Sequence, residues 1–233
     1  MQKRELKADE TPSDLSRTGY NKAAHQYLEW TSSLPSPRLA WLDKLFQNLG
    51  ESALPTARVL ELGCGAGVPS TLMLAKTVDK VVATDISSTQ LELARQHFHK
   101  AGIETSDENG KVDLREADMV ALSFPAASFD AICAFYSIIQ LSTADQRLVL
   151  ERGFEWLKPG GYLLINVAKE ASTGAVLEGW NGMDAFWAAF GTEGTLRVLG
   201  EIGFEVVEQE TIEIEGDAAF TWIIARKPTK DGN

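Results

Sequence analysis

In "VLELGCGAG" an acid and three glycines stand at every second position, Glu61, Gly63, Gly65 and Gly67, and a further acid, Asp85, ends the next apolar run, "KVVATD", 22 residues after Gly63. Glycines between a strand and a helix let a bare backbone approach a ligand and let the helix N-terminus face an anion. An acid closing the following strand stands where it can accept hydrogen bonds from both ribose hydroxyls of a nucleoside. Without a ligand, the same residues would make a tight strand-to-helix turn, and Asp85 would cap the next helix. The spacing is G-x-G-x-G, one residue shorter than the dinucleotide fingerprint G-x-G-x-x-G, so a pyrophosphate is the weaker fit.

The chain of 233 residues is long enough for one domain with its own core, at 44% hydrophobic and 24% charged residues. A formal charge of -11 opposes attraction to polyanions and excludes nucleic acid and anionic membrane surfaces as expected partners. Cys64 and Cys133 have no metal-ligand spacing and fit reduced thiols; no metal is expected. The polar opening "MQKRELKADETPSDLSRTG" has no apolar leader core, and no apolar run reaches membrane-spanning length, which predicts a soluble, cytoplasmic protein.

Residues 1–18 mix charges with Thr, Pro and Ser and read as a mobile arm. From Tyr20 the steps of three and four in "YNKAAHQYLEW" predict a helix, and "RLAWLDKLFQNLG" a second, together a helical cap over 19–50. Strand and helix patterns then alternate through "ARVLEL", "PSTLMLAKTV", "KVVATD", "SSTQLELARQHFHKAG", "KVDLREAD", "FDAICAFYS", "STADQRLVLERGFEWLKPGG" and "YLLINVA". That alternation argues for an α/β, doubly wound parallel sheet with helices on both faces. A helix from about Thr192 to Gly200 precedes two last strands, "FEVVEQETIEI" and "AAFTWIIARKP", close enough to form a hairpin, which makes the final strand antiparallel. One domain is expected over 19–227, with an insertion near 172–192 and a tail at 228–233.

"VLELGCGAG", Asp85, "READMVALSFPAASFDAICAF" and "LKPGGYLLI", in this order, resemble the class I S-adenosylmethionine-dependent methyltransferases of the small-molecule type, over roughly residues 20 to 227. The resemblance implies a Rossmann-like seven-stranded sheet of order 3-2-1-4-5-7-6, with strand 7 antiparallel, and S-adenosyl-L-methionine as cofactor. It implies that Glu61 and the segment Gly63, Gly65 and Gly67 pass the methionine part, that Asp85 holds the ribose, and that Ile86 lies against the adenine. Asp118 would accept from the adenine amino group, with Met119 beside the ring. "GYNKAAHQYLEW" is similar to the "Y-D-x-x-A-x-x-Y" opening of such enzymes, which sends Tyr20 to the carboxylate end of the cofactor and leaves Tyr27 on the same face. Asn21 stands where the pattern often has Asp.

Transfer of a methyl group from a sulfonium needs alignment and exclusion of water more than a dedicated base. His97 and His99 read as helix-end residues, and His25 is offset from the face of Tyr20. Relatives of this type often carry His in the segment after strand 4, where this chain reads "SIIQL" with Gln140, an amide that can orient a ligand but accepts no proton at neutral pH. Tyr136, Gln140 and His25 are the remaining catalytic candidates, with Ser137 beside them. "AFYS" lacks the "[DN]-P-P-[YFW]" signature of enzymes that methylate nucleobase or glutamine amino groups. Met183, Phe186 and Phe190 in "WNGMDAFWAAFG" fall on one helical stripe that could pack on the sheet. As an acceptor lid, the segment would bring Met183 and Trp187 to a small, flat, apolar or cationic acceptor alongside Tyr27, Tyr136 and Gln140. The alternatives are a regulator that binds the cofactor without transfer, and a nicotinamide-dependent oxidoreductase; the acceptor atom and the oligomeric state are left open.

Overall fold

The computed structural model describes residues 2–106, 110–213 and 218–229. In chain order these form β1 (Lys3–Arg4), α1 (Pro12–Ser33), α2 (Arg38–Leu49), β2 (Arg58–Leu62), α3 (Ser70–Thr77), β3 (Lys80–Asp85), α4 (Ser88–Lys100), β4 (Val112–Glu116), β5 (Phe129–Ala134), α5 (Thr143–Trp156), β6 (Leu157–Ala168), β7 (Ala171–Trp180), β8 (Met183–Phe190), α6 (Gly191–Ile202), β9 (Glu205–Ile212) and β10 (Phe220–Arg226).

Seven strands make one sheet in the order β4-β3-β2-β5-β6-β10-β9. Counting only these strands along the chain, that is the order 3-2-1-4-5-7-6. β10 runs antiparallel to both β6 and β9, while β2, β3, β4, β5 and β6 pair in parallel. Alternation along the buried strands splits the core. Val59, Val81, Cys133 and Trp222 face a layer that includes Trp41, Leu42 and Leu45 of α2, while Leu60, Val82, Ile132 and Ile223 face Val149 and Leu150 of α5 and Val198 and Leu199 of α6. Both cysteines are free and buried, and burial pushes their thiols up.

The stretch 1–18 departs from a mobile arm over its described residues. Thr11 caps α1 by accepting from the Asp14 N–H at 3.1 Å with Pro12 in the first turn, so the helix starts well before Tyr20. Ahead of it, β1 pairs antiparallel with β7. Arg4 fixes that pairing through carboxylates from three places, Glu10 at 2.6 Å, Glu178 at 3.1 Å and Asp184 at 3.2 Å. Of the expected tail at 228–233, residues 230–233 lie outside the described residues.

The stretch "WNGMDAFWAAFG" is not a helix. β7 and β8 form an antiparallel hairpin across Trp180↔Met183, with Asn181 and Gly182 both at positive φ, 46° and 80°, the backbone that a two-residue hairpin turn requires. Met183, Phe186 and Phe190 therefore share no stripe. Met183, Ala185 and Trp187 pack with Ala23 and Tyr27 of α1, while Phe186 and Ala188 pack with Val176, Leu6 and Leu15. The hairpin extends β1 into a three-stranded sheet that, with α1, stands beside the carboxyl ends of the main strands.

If Arg4 is what orders the N-terminal segment, Arg4→Met should open residues 2–10 to thermolysin, with cleavage at least about tenfold faster, while α1 and the main sheet stay protected. Cleavage no faster than in the parent would remove this role from Arg4.

Candidate active site

The glycine loop leaves β2 and turns back under β3. The N–H groups of Gly63 and Cys64 both donate to the Thr84 carbonyl, at 2.8 and 2.9 Å, so the loop is laid against the end of the neighbouring strand. Asp85 then fastens it: Oδ2 accepts from the Gly65 N–H at 2.8 Å and Oδ1 from the Ser87 N–H at 2.9 Å. Ser87 caps α4 by accepting from Gln90 N–H. Its hydroxyl also donates to Asn21 Oδ1 at 2.7 Å, an oxygen that takes the Thr89 N–H at 3.2 Å as well. A neutral amide thus ties α1 to the first turn of α4.

All three glycines have positive φ, at 75°, 55° and 74°, but only one has room. A Cβ on Gly63 would come 2.4 Å from Ser137 Cβ, and one on Gly67 would come 2.9 Å from Phe98 Cζ; at Gly65 the nearest atom is Gln90 Oε1 at 3.8 Å. Gly63 and Gly67 serve close packing, while Gly65 faces open space.

That space is a cavity with an empty volume of about 650 Å³, and it gathers most of the residues singled out in the sequence: Tyr20, Tyr27, Gly63, Gly65, Asp85, Ile86, Asp118, Met119, Tyr136 and Gln140. Glu61 lies in an adjoining cavity over the same loop, with Gly63, Gly65, Gln90 and Arg38 in its lining. Glu61 Oε2 and both amide atoms of Gln90 are buried without a hydrogen-bond partner. Unpaired buried polar groups cost free energy, and this wall keeps hydrogen-bonding capacity that no group of the described residues takes up. Two carboxyls there are held away from their ordinary state. Burial pushes Glu61 from 4.5 up to about 7, against the opposing pull of Thr71 and Ser70, and pushes Asp85 from 3.8 up to about 6, against the N–H groups of Ser87, Gly65 and Ile86.

Gln140 joins three elements. With its amide oriented to satisfy every partner, Oε1 accepts from Trp187 Nε1 at 2.7 Å and from the Tyr20 hydroxyl at 3.3 Å, and Nε2 donates to the Phe186 carbonyl at 3.1 Å. Burial drives the Tyr20 phenol well above its usual value, which keeps it a donor. Tyr136 sits at φ 56°, rare outside glycine, and is held there by its N–H to Asn166 Oδ1 at 2.7 Å. Its ring carries the Arg38 guanidinium 4.6 Å from the centroid. Ser137, donating to the Leu62 carbonyl at 2.7 Å, is a structural tie.

A second cavity, of about 480 Å³, shares Tyr20, Tyr27, Tyr136 and Gln140 with the first and adds Trp30, Arg38, Trp180, Trp187 and Phe220. Three of the sequence candidates fall outside all three cavities. His25 is exposed on α1, Met183 is 4% exposed and packed against Gly19, and Gly67 abuts Phe98. His97 joins the loop instead, through Nδ1 and the Ala66 carbonyl at 2.8 Å. Arg38 and Gln90 escaped the sequence reading, because an arginine opening a helix and a glutamine inside one carry no motif. Only the fold brings them to the loop.

Residues 59–161 match the methyltransferase domain family. "Methyltransferase GfsG" of Streptomyces halstedii is 34% identical over 123 residues, 53% of this chain; the chain spans 41% of that relative's length. Among solved structures, the Burkholderia thailandensis 1,6-didemethyltoxoflavin-N1-methyltransferase, bound to 1,6-didemethyltoxoflavin and S-adenosylhomocysteine, superposes with a TM-score of 0.71 at 17% identity, over 98% of this chain and 100% of that one. The [4+2]-cyclase SpnF superposes equally well, with a TM-score of 0.71 at 16% identity, over 97% and 99%. The fold is thus the Rossmann-like one that these solved structures share. Among the described residues, no helix is long and apolar enough to cross a membrane.

Both raised carboxyls fix a sign for the pH dependence. Their folded values lie above the unfolded ones, so the folded chain holds more protons, and the stability they contribute is present at low pH and lost as pH rises through about 6 to 7. Glu61→Gln should therefore raise the melting temperature at about pH 7.5 and change it little at about pH 5. Equal effects at both values in scanning calorimetry would show that Glu61 is already ionised without cost.

Proposed function

We propose that this chain, which carries a methyltransferase domain on a class I sheet, is an S-adenosylmethionine-dependent methyltransferase acting on a small molecule. The observation that carries the reading is the polar wall of the two adjoining cavities: the Asp85 carboxylate and Gly65 beside the unpaired groups of Gln90 and Glu61. Those groups fit the cofactor. Each Asp85 oxygen spends one lone pair on a backbone N–H and keeps another for a ribose hydroxyl. Asp118, whose Oδ1 takes the Val120 N–H at 3.0 Å, keeps its other oxygen for the adenine amino group, with Ile86 and Met119 as the apolar sides. Glu61 and Gln90 suit the ammonium end. Arg38, the one basic residue among the described residues lining these three cavities, suits the carboxylate, with Tyr20 nearby.

When bound, S-adenosylmethionine supplies a methyl group on a sulfonium whose leaving group is a neutral thioether. The chain's own part is alignment and exclusion of water. Tyr20, Tyr27, Tyr136 and Gln140 line both larger cavities, so they form the passage at which an acceptor atom and the methyl group would meet. No His, Asp, Glu or Cys lines the second cavity among the described residues, Gln140 accepts no proton, and Tyr20 keeps its own. The acceptor therefore brings a nucleophile that ionises by itself or is already neutral. A regulator that binds the cofactor without transfer is the competing reading, favoured by Gln140 at the position of the histidine that relatives often carry.

Asp85→Ala should weaken S-adenosylhomocysteine binding by roughly 1.5–3 kcal/mol, the worth of hydrogen bonds to a charged acceptor. Gly65→Val should abolish most binding and cost roughly 1–3 kcal/mol of stability through strain at its positive φ, yet it meets no packed atom and should leave a folded protein, whereas Gly63→Val should unfold it. Titration calorimetry on folded variants decides: unchanged affinity in both Asp85→Ala and Gly65→Val would sink the cofactor site.

A further inference from the structure

Resting on the assignment of the larger cavity to the cofactor, we infer that the second cavity selects a planar aromatic acceptor that carries no positive charge. Four rings form a continuous wall: Tyr27 lies 5.9 Å from Trp30 and 5.8 Å from Trp180, Trp30 lies 5.5 Å from Trp180, and Trp180 lies 5.2 Å from Trp187. Tyr136 and Phe220, in edge contact at 4.8 Å, supply a second pair of rings, and Ile139 adds further apolar lining. The wall is rigid by construction. Trp187 is pinned through its Nε1 to Gln140, Met183 and Ala185 pack behind it, and α1 brings Tyr27 and Trp30 on a single face. Fixed ring faces reward a flat partner that can stack, and give little to a puckered one of the same volume.

Charge decides between the two flat classes. Aromatic cages hold cations well, but they do so with exposed ring faces and usually with nearby acids. Among the described residues no carboxylate lines the cavity and Arg38 is the one charged side chain in it, and the face of Tyr136 is already taken by that guanidinium. A cationic acceptor would meet the Arg38 guanidinium, with no carboxylate among the described residues of this cavity's lining to hold it. An uncharged or anionic aromatic ring meets no such cost, and Thr31 and Ser36 can serve its polar substituents.

Ring-matched probes test this without the acceptor being known. Titration calorimetry of the full chain with 2-naphthol, decahydro-2-naphthol and (naphthalen-2-ylmethyl)trimethylammonium should rank 2-naphthol at least about tenfold tighter than the other two, a difference of about 1.4 kcal/mol. Trp187→Ala should reduce that preference by about fivefold or more, and Trp30→Leu, on a half-buried helix face, serves as the second variant should Trp187→Ala not fold. S-adenosylhomocysteine affinity should stay within about twofold in both variants. Tightest binding of the trimethylammonium probe, equal binding of the saturated probe, or no binding of 2-naphthol overturns the inference. Loss of S-adenosylhomocysteine binding with the probe ranking intact would instead count against the cofactor assignment alone.

Discussion

Everything at this site hangs on one carboxylate that must stay ionised while being removed from water. Asp85 holds the Gly65 and Ser87 N–H groups at the same time, so it fixes the glycine loop after β2, the cap of α4 and, through the Ser87 hydroxyl and Asn21, the position of α1. Burial pulls the other way and raises its proton affinity. Groups held against their solvation preference in a cleft are the kind that binding sites accumulate, because a ligand bearing donors relieves the cost on arrival. The parallel order of the central strands makes this possible. It brings the ends of β2, β3 and β5 to one edge, where a loop, an acid and Tyr136 can converge.

Much of this was legible in the chain. The glycine loop and Asp85 are local signals, and alternating strand and helix patterns lead directly to the doubly wound sheet. The hairpin was hidden because spacings of three and four among Met183, Phe186 and Phe190 suit a helix. The register of its strands also shifts between Ser172 and Ala175 and between Leu177 and Trp180, which breaks the period-two pattern. Asn181-Gly182 was the available clue. The opening segment was misread for a different reason: its order comes from Arg4 meeting Glu178 and Asp184 far along the chain, which no local pattern can announce. Thr11-Pro12 with Asp14 three residues after the cap did mark the true start of α1.

The fold alone leaves the chemistry open, as the [4+2]-cyclase on the same architecture shows. What narrows it here is the division of labour between the cavities. Charged and unpaired polar groups line the glycine loop, aromatic rings line the space under the hairpin, and Tyr20, Tyr27, Tyr136 and Gln140 belong to both. Gln140 ties the two sides by accepting from both Tyr20 and Trp187 at its carbonyl oxygen while donating to the Phe186 carbonyl. A glutamine so engaged positions groups and takes no proton, which suits a transfer driven by proximity.

The most direct measurement is single-vessel transfer with cofactor labelled on its methyl group, in a metabolite extract rich in aromatic compounds, following label and S-adenosylhomocysteine together. Methyl transfer predicts label in an organic product and an equal amount of S-adenosylhomocysteine, both reduced at least about tenfold in Asp85→Ala at limiting cofactor. Tight binding of the labelled cofactor with neither product nor S-adenosylhomocysteine, across extracts and pH, would contradict the account and leave a protein that holds the cofactor without using it.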